Sequence, residues 1–186
     1  AGQGLVYAYF NGSARAFTSS DGAAGDGFGA AVTLNDDGSI LLVGSPYSDV
    51  SGKTDQGAAY AFFRSDVNWT QISQITASDG AAGDQFGIAL DVSPDGRRAA
   101  VAATYATVGS NAFQGAVYVF DRASGTTWSQ TARLTASDGA PNDQLGQSVA
   151  VVGSTVLAGT PLVTPDVSQR FQGAVYVFYQ APVLQV

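Results

Sequence analysis

The sequence predicts an all-β chain built from β-propeller-type blades of four antiparallel strands, about three and a half blades per chain, open to completion by another chain. Three observations lead there: an internal repeat, a composition that favours strands, and a strand whose two faces are both apolar. The string QGAVYVF stands at residues 114–120 and again at 172–178, with looser copies at 56–62 (QGAAYAF) and 3–9 (QGLVYAY). A second signature alternates with it: SDGAAGDGFG at 20–29, TASDGAAGDQFG ending at Gly87, and TASDGAPNDQLG ending at Gly146. The period is about 58 residues, which points to stacked modules rather than one irregular core. Of the 186 residues, 45% are hydrophobic, every acidic residue is Asp, and Lys53 is the single lysine. Straight-chain helix formers are therefore scarce, while Val, Thr, Tyr, Phe and Gly are common, and strands and turns are favoured over helices.

The elements follow in order from the repeat that begins at Asp79. Residues 86–92 read as a first strand, and Ser93-Pro94-Asp95-Gly96 is a strong turn sequence. Residues 98–103 form a second, short apolar strand. A Gly-, Ser-, Asn- and Thr-containing loop leads to the third strand, 115–120, where Ala116, Tyr118 and Phe120 alternate with Val117 and Val119. Such a strand must be covered on both sides. Residues 128–134 mix Ser, Gln, Thr and Arg with apolar residues, as an outer strand does. Four such strands repeated in series describe a propeller blade, because blades stacked around an axis cover one another. β-Solenoid coils, the alternative, have a shorter period.

The chain reads as one repeat domain over 1–186, with a partial blade at 3–20 and repeats at 21–78, 79–137 and 138–186, the last with its terminal strand incomplete. The leading segment supplies strands three and four of a blade whose first two strands are absent. Closed propellers have about four to eight blades, so this fan leaves an apolar blade face open at each end, and exposed faces of that size mark interaction surfaces. Two chains closing a ring, chains joined head to tail into a filament, and a longer propeller of which this is a fragment all resolve the problem. Strand addition across chains fits because an unpaired edge presents a row of backbone donors and acceptors.

Phe-Gly opening strand one (Phe28-Gly29, Phe86-Gly87), Gly-Ser-Pro at 44–46 or Gly-Thr-Pro at 159–161 closing strand two, and the following Gly-Ala-Val-Tyr-Val-Phe together resemble the FG-GAP repeat. This is the blade unit of the integrin α-subunit head and of many secreted bacterial and protist proteins. The resemblance runs over residues 3–178. The middle copy departs at Ala102-Ala103-Thr104, and the third has Leu145 in place of Phe. The resemblance implies a propeller at the cell surface or outside the cell and, in many members, a calcium loop of the form D-x-[DN]-x-D-G between strands one and two. Calcium takes about six to eight oxygen ligands. The hairpins here, Asn35-Asp36-Asp37-Gly38, Ser93-Pro94-Asp95-Gly96 and Val152-Gly153-Ser154, depart from that form, and the third has no carboxylate.

Further acidic pairs, Asp21/Asp26, Asp79/Asp84 and Asp138/Asp143, lie on the loops leading into strand one. They have two readings. Asp in a Gly-rich loop bonds nearby backbone N–H groups and fixes the turn, or each loop holds a cation such as calcium.

The formal charge of −7 repels a phosphate backbone, which argues against nucleic-acid binding. No apolar run reaches the roughly 20 residues a membrane-spanning helix needs. With neither His nor Cys, the usual catalytic triads and the common zinc sites cannot be built. A threefold-repeated Asp follows from threefold-repeated structure better than from a hydrolase pair, so no enzyme activity is expected. A start at Ala1 reads as a mature chain after signal-peptide removal, or as a truncation. Asn11 and Asn68 head N-glycosylation sequons.

Two functional readings result. The first is an extracellular structural or adhesion protein that assembles with itself. The second is a module that binds glycans or extracellular proteins through the loops between strands two and three. Its candidates are Tyr47, Asp49, Asp55, Tyr105, Asn111, Asp166 and Arg170, since loops on a rigid scaffold commonly carry function. Tyr47 and Tyr105 occupy matching positions and read as structural. Trp69 and Trp128 also match, and are expected to pack between blades.

Overall fold

Central strands apolar on both faces require cover on both sides, and this dictates the arrangement. The computed structural model describes residues 2–10, 12–123, 125–163 and 172–179, which contain strands and no helix. A leading hairpin pairs β1 (Val6–Phe10) with β2 (Ser13–Phe17). The first blade is β3 (Ala31–Leu34), β4 (Ile40–Ser45), β5 (Ala58–Ser65) and β6 (Asn68–Ile75), hydrogen-bonded in that order. The second blade is β7 (Leu90–Val92), β8 (Arg98–Ala103), β9 (Ala116–Asp121) and β10 (Ser129–Leu134). The third shows β11 (Ser148–Val152), β12 (Thr155–Thr160) and β13 (Ala174–Tyr179). Every pairing is antiparallel.

The predicted first strand over 86–92 is shorter than expected: only Leu90–Val92 is strand. Gln85 and Gly87 have φ of 56° and 95°, and this left-handed backbone turns the Phe-Gly pair out of the ladder. Trp128 likewise precedes β10 rather than opening it.

Side-chain alternation sends each strand's apolar residues into two different interfaces. On β4, Leu41 and Val43 join Phe28, Tyr60 and Phe62 against the leading hairpin's Val6 and Phe17. Ile40 and Leu42 of the same strand join Phe86, Leu90 and Val101 of the second blade. On the far side of the second blade, Ala100, Ala102, Val117 and Val119 meet Leu145 and Val156 of the third. Trp69 packs in the hairpin interface and Trp128 between the first and second blades. Arg64 and Arg122 lie over these rings at 6.0 and 5.7 Å from the centroids.

A backbone stitch explains why the two signatures recur in register. The N–H of Phe28 donates to the Gln3 carbonyl (2.8 Å), Phe86 to Gln56 (2.9 Å) and Leu145 to Gln114 (2.8 Å). Each bond joins the Gln-Gly of one blade to the Phe-Gly of the next. Gly57 and Gly115, both at φ 84°, let the chains approach. A Cβ at either would collide with the carbonyl oxygen of Phe86 or Leu145. The glycine after the stitch then turns into its own blade: Gly29, Gly87 and Gly146 donate to the carbonyls of Gly44, Ala102 and Gly159 (3.0, 2.9 and 2.9 Å).

The innermost strands also meet directly, through Asp91 on β7. Its Oδ1 accepts from the Thr33 hydroxyl on β3 (3.0 Å), and its Oδ2 accepts from the Val151 N–H on β11 (2.8 Å).

Tyr118 supplies a pH prediction. Burial, followed by the Asp79 carboxylate, pushes its phenol up to about 12, and the Arg133 guanidinium opposes this only in part. An unfolded tyrosine ionises near 10. Between those values the folded chain retains a proton that the unfolded chain loses, so this contribution is complete below pH 10 and is lost as pH rises towards 12. Urea unfolding at pH 9 and pH 11.5 is expected to show the loss, and Tyr118→Phe is expected to make the pH profile flatter. An unchanged profile for that variant would place the titrating group elsewhere.

Candidate functional site: the open blade ends

Identical residues in different repeats find opposite environments at the chain's ends. In the second blade, Val117 and Val119 are fully buried against the third. Val175 and Val177, at the matching positions of β13, are 66% and 47% exposed. They share a face with Ala150 and Leu157, because Ala150 pairs with Leu157 and Leu157 with Val177.

The other end is a cleft of about 630 Å³ between the leading hairpin and β3. Val6, Ala8 and Phe17 line one wall, and Val32, Leu34 and Leu41 the other, with Arg15 and Arg64 also at its boundary. Val32 and Leu34 are 55% and 53% exposed, whereas Leu90 and Val92, their counterparts on β7, are 8% and 4% exposed beneath the first blade. The cleft runs between the faces of the leading hairpin and the first blade, reaching Trp69 on β6 as well as Val32 and Leu34 on β3. β1 pairs with β2 along one edge, and no strand among the described residues pairs with the other.

The FG-GAP repeat profile matches residues 13–62, 69–120 and 128–178. The chain belongs to the FG-GAP repeat family. No curated protein matches it. Among solved structures, this FG-GAP chain is similar to a putative 6-phosphogluconolactonase from Bacteroides uniformis (18% identity, TM-score 0.54, covering 84% of this chain and 40% of that one). It is also similar to the periplasmic gluconolactonase PpgL of Pseudomonas aeruginosa (22% identity, TM-score 0.52, 84% and 46%). A third likeness is to the tricorn protease (10% identity, TM-score 0.51, 90% and 18%). The chain thus spans less than half the length of each. At these identities the likenesses concern the propeller-type fold.

The repeated aspartates of the FG-GAP units have local partners. Asp26, Asp84 and Asp143 accept the N–H groups of Ala23, Ala81 and Ala140 (2.8, 2.8 and 2.6 Å), closing the loops that lead into strand one. Burial holds the Asp84 carboxyl above the usual range, partly offset by the Ala81 N–H. Asp21 accepts from Gln74 (3.0 Å), Asp79 pairs with Arg133 (3.2 Å), and Asp138 accepts from the Tyr176 hydroxyl (2.8 Å). In the shorter hairpins, Asp37 accepts the Ser39 N–H (2.8 Å), and Asp95 accepts from the Ser93 hydroxyl (2.6 Å). No group of three or more acidic residues arranged to hold a metal occurs among the described residues.

The loops between strands two and three fasten neighbouring FG-GAP blades. Asn111 donates to the Gly139 carbonyl (2.9 Å) and to Gln114 Oε1 (3.0 Å), and Lys53 donates to the Gly80 carbonyl (2.6 Å). Asp49 accepts the Asp55 N–H (3.0 Å), while the Asp55 carbonyl accepts from Gln85 (3.1 Å). Tyr105 meets Phe113 edge-on at 5.5 Å, and Tyr47 lies against Gly27 with its N–H on the Asp26 carbonyl (3.1 Å). Asn68 is exposed at the start of β6. Asn11, Asp166 and Arg170 lie outside the described residues. The residues that sequence reasoning passed over are the cleft wall, Val32 and Leu34. Comparing them position by position with Leu90 and Val92 supplies the signal.

Proposed function

We propose that this chain is a non-catalytic, extracellular structural or adhesion module that associates with further copies of itself through its open blade ends. One observation carries the reading: the same Val-Tyr-Val is buried between blades at 117–119 and presents its valines to solvent at 175–177. A face built to be covered by another blade is a standing site for one. The non-catalytic part rests on the lack of His and Cys and on the turn-closing bonds of the repeated aspartates. The extracellular part rests on the FG-GAP family and on the exposed sequon at Asn68. A second reading, a stretch of a longer propeller, draws on the chain's spanning less than half of the similar solved structures.

Light scattering and electron microscopy of the purified chain across a concentration series test this. Rings or filaments are expected, and Val177→Asp is expected to weaken assembly about 100-fold, since a charge would enter a dry apolar contact. A monomer at all concentrations removes the self-association reading and leaves the longer propeller.

A further inference from the structure

We propose that the cleft between the leading hairpin and the first blade binds a small apolar carboxylate, its anionic head on Arg15 and its tail between the apolar walls. The site lies within one copy, so it does not depend on self-association.

One departure from the repeat sets this cleft apart. Ala8 pairs with Arg15 across the leading hairpin, as Ala61 pairs with Ser73 and Val119 with Ala132 in the complete blades. The repeated strings place Ala8, Ala61 and Val119 at one position, so Arg15, Ser73 and Ala132 are counterparts. Ala132 packs into the apolar cluster between the second and third blades. A guanidinium in that place cannot close down on the facing blade without giving up its water. Alternation along β2 puts Arg15 on the same face as Phe17, which packs towards the first blade. Arg15 accordingly lines the cleft.

Charge and shape together select the ligand. Arg15 and Arg64 line the cleft with a single carboxylate, Asp66, so it is net cationic in a chain of formal charge −7. Among the described residues neither guanidinium forms an ion pair. Arg64 donates to the Asp37 carbonyl (3.1 Å) and lies over Trp69, which leaves Arg15 for the anionic head. Val32, Leu34, Leu41 and Trp69 supply the wall that faces the hairpin. The volume of about 630 Å³ falls within the roughly 300–1,000 Å³ of small-molecule sites. An inorganic anion leaves these walls in water, and an uncharged apolar molecule forgoes the charge-assisted bond to Arg15. An apolar carboxylate uses both.

Isothermal titration calorimetry of the full chain with sodium octanoate, decanoate and dodecanoate tests this. One saturable site per chain is expected, tightening about fourfold for each added methylene. Arg15→Gln is expected to weaken decanoate about tenfold and to leave decan-1-ol unchanged, because only the carboxylate uses the guanidinium. Val32→Asp places a charge on the apolar wall at a half-exposed position, and is expected to abolish binding of both. Val177→Asp, on the open face of the third blade, is expected to change neither. Circular dichroism establishes that each variant is folded. No heat of binding at any chain length, decanoate binding undiminished in Arg15→Gln or Val32→Asp, or binding lost in Val177→Asp overturns the site, and each of these leaves the self-association reading standing.

Discussion

Phe86→Ala is expected to lower the unfolding free energy by about 3–5 kcal/mol, the range for truncating a buried aromatic ring. Phe86 is fully buried between the first and second blades. Its ring meets Tyr118 and Phe120 edge-on, at centroid distances of 5.6 and 5.9 Å. Removing it opens a void that those two rings, held on β9, cannot close. A domain of this size shifts by about 2–4 °C per kcal/mol, so the midpoint should fall by roughly 10 °C. The third repeat places Leu145 at the equivalent site, also fully buried and making the same backbone stitch. Phe86→Leu is therefore expected to cost only about 1–1.5 kcal/mol, as shape-adapted apolar exchanges do. Urea unfolding of the two variants separates these magnitudes. A Phe86→Ala cost below 1 kcal/mol would contradict the packing described.

Gly57→Ala is the second large effect, and it acts on the backbone. At φ 84° any Cβ brings conformational strain, about 1–2 kcal/mol for a left-handed residue. This Cβ would also run into both the N and O atoms of Phe86, the residue whose N–H makes the stitch to Gln56. Gly83 is the control, with φ 82° and open space where its Cβ would stand. Gly83→Ala should cost about 1 kcal/mol and Gly57→Ala more than about 3 kcal/mol. The difference measures the collision alone. Equal losses in the two variants would mean that the blades can part at this point without penalty.

Strand order, the outer position of β6 and β10, and double-sided burial of the third strands were legible because each leaves a local pattern. Alternation in Ala116–Phe120, polar mixing in 129–134, and turn residues such as Pro94-Asp95-Gly96 all report short-range geometry. The stitch was not legible. Its bonds run between main-chain atoms of Gln56 and Phe86, and the side chains at those positions do not declare them. The role of the loops between strands two and three was hidden for another reason. Lys53 and Asn111 stand at matching positions and do the same work on the Gly80 and Gly139 carbonyls, yet they share no chemical type beyond a donor nitrogen. The first strand was read too long because Phe86–Ala89 is apolar, and apolarity alone cannot reveal the left-handed turn at Gln85 and Gly87.

The main-chain character of the stitch bears on how such a chain arises. A connector made of one N–H, one carbonyl and one glycine is blind to the side chains around it, so a duplicated gene segment encodes a blade that fits its neighbour on first appearance. The repeats show both halves of this. Their Gln-Gly and Phe-Gly or Leu-Gly pairs stay in step, while the residues packed beside them drift from Leu41 and Val43 to Ala99 and Val101 to Val156 and Ala158.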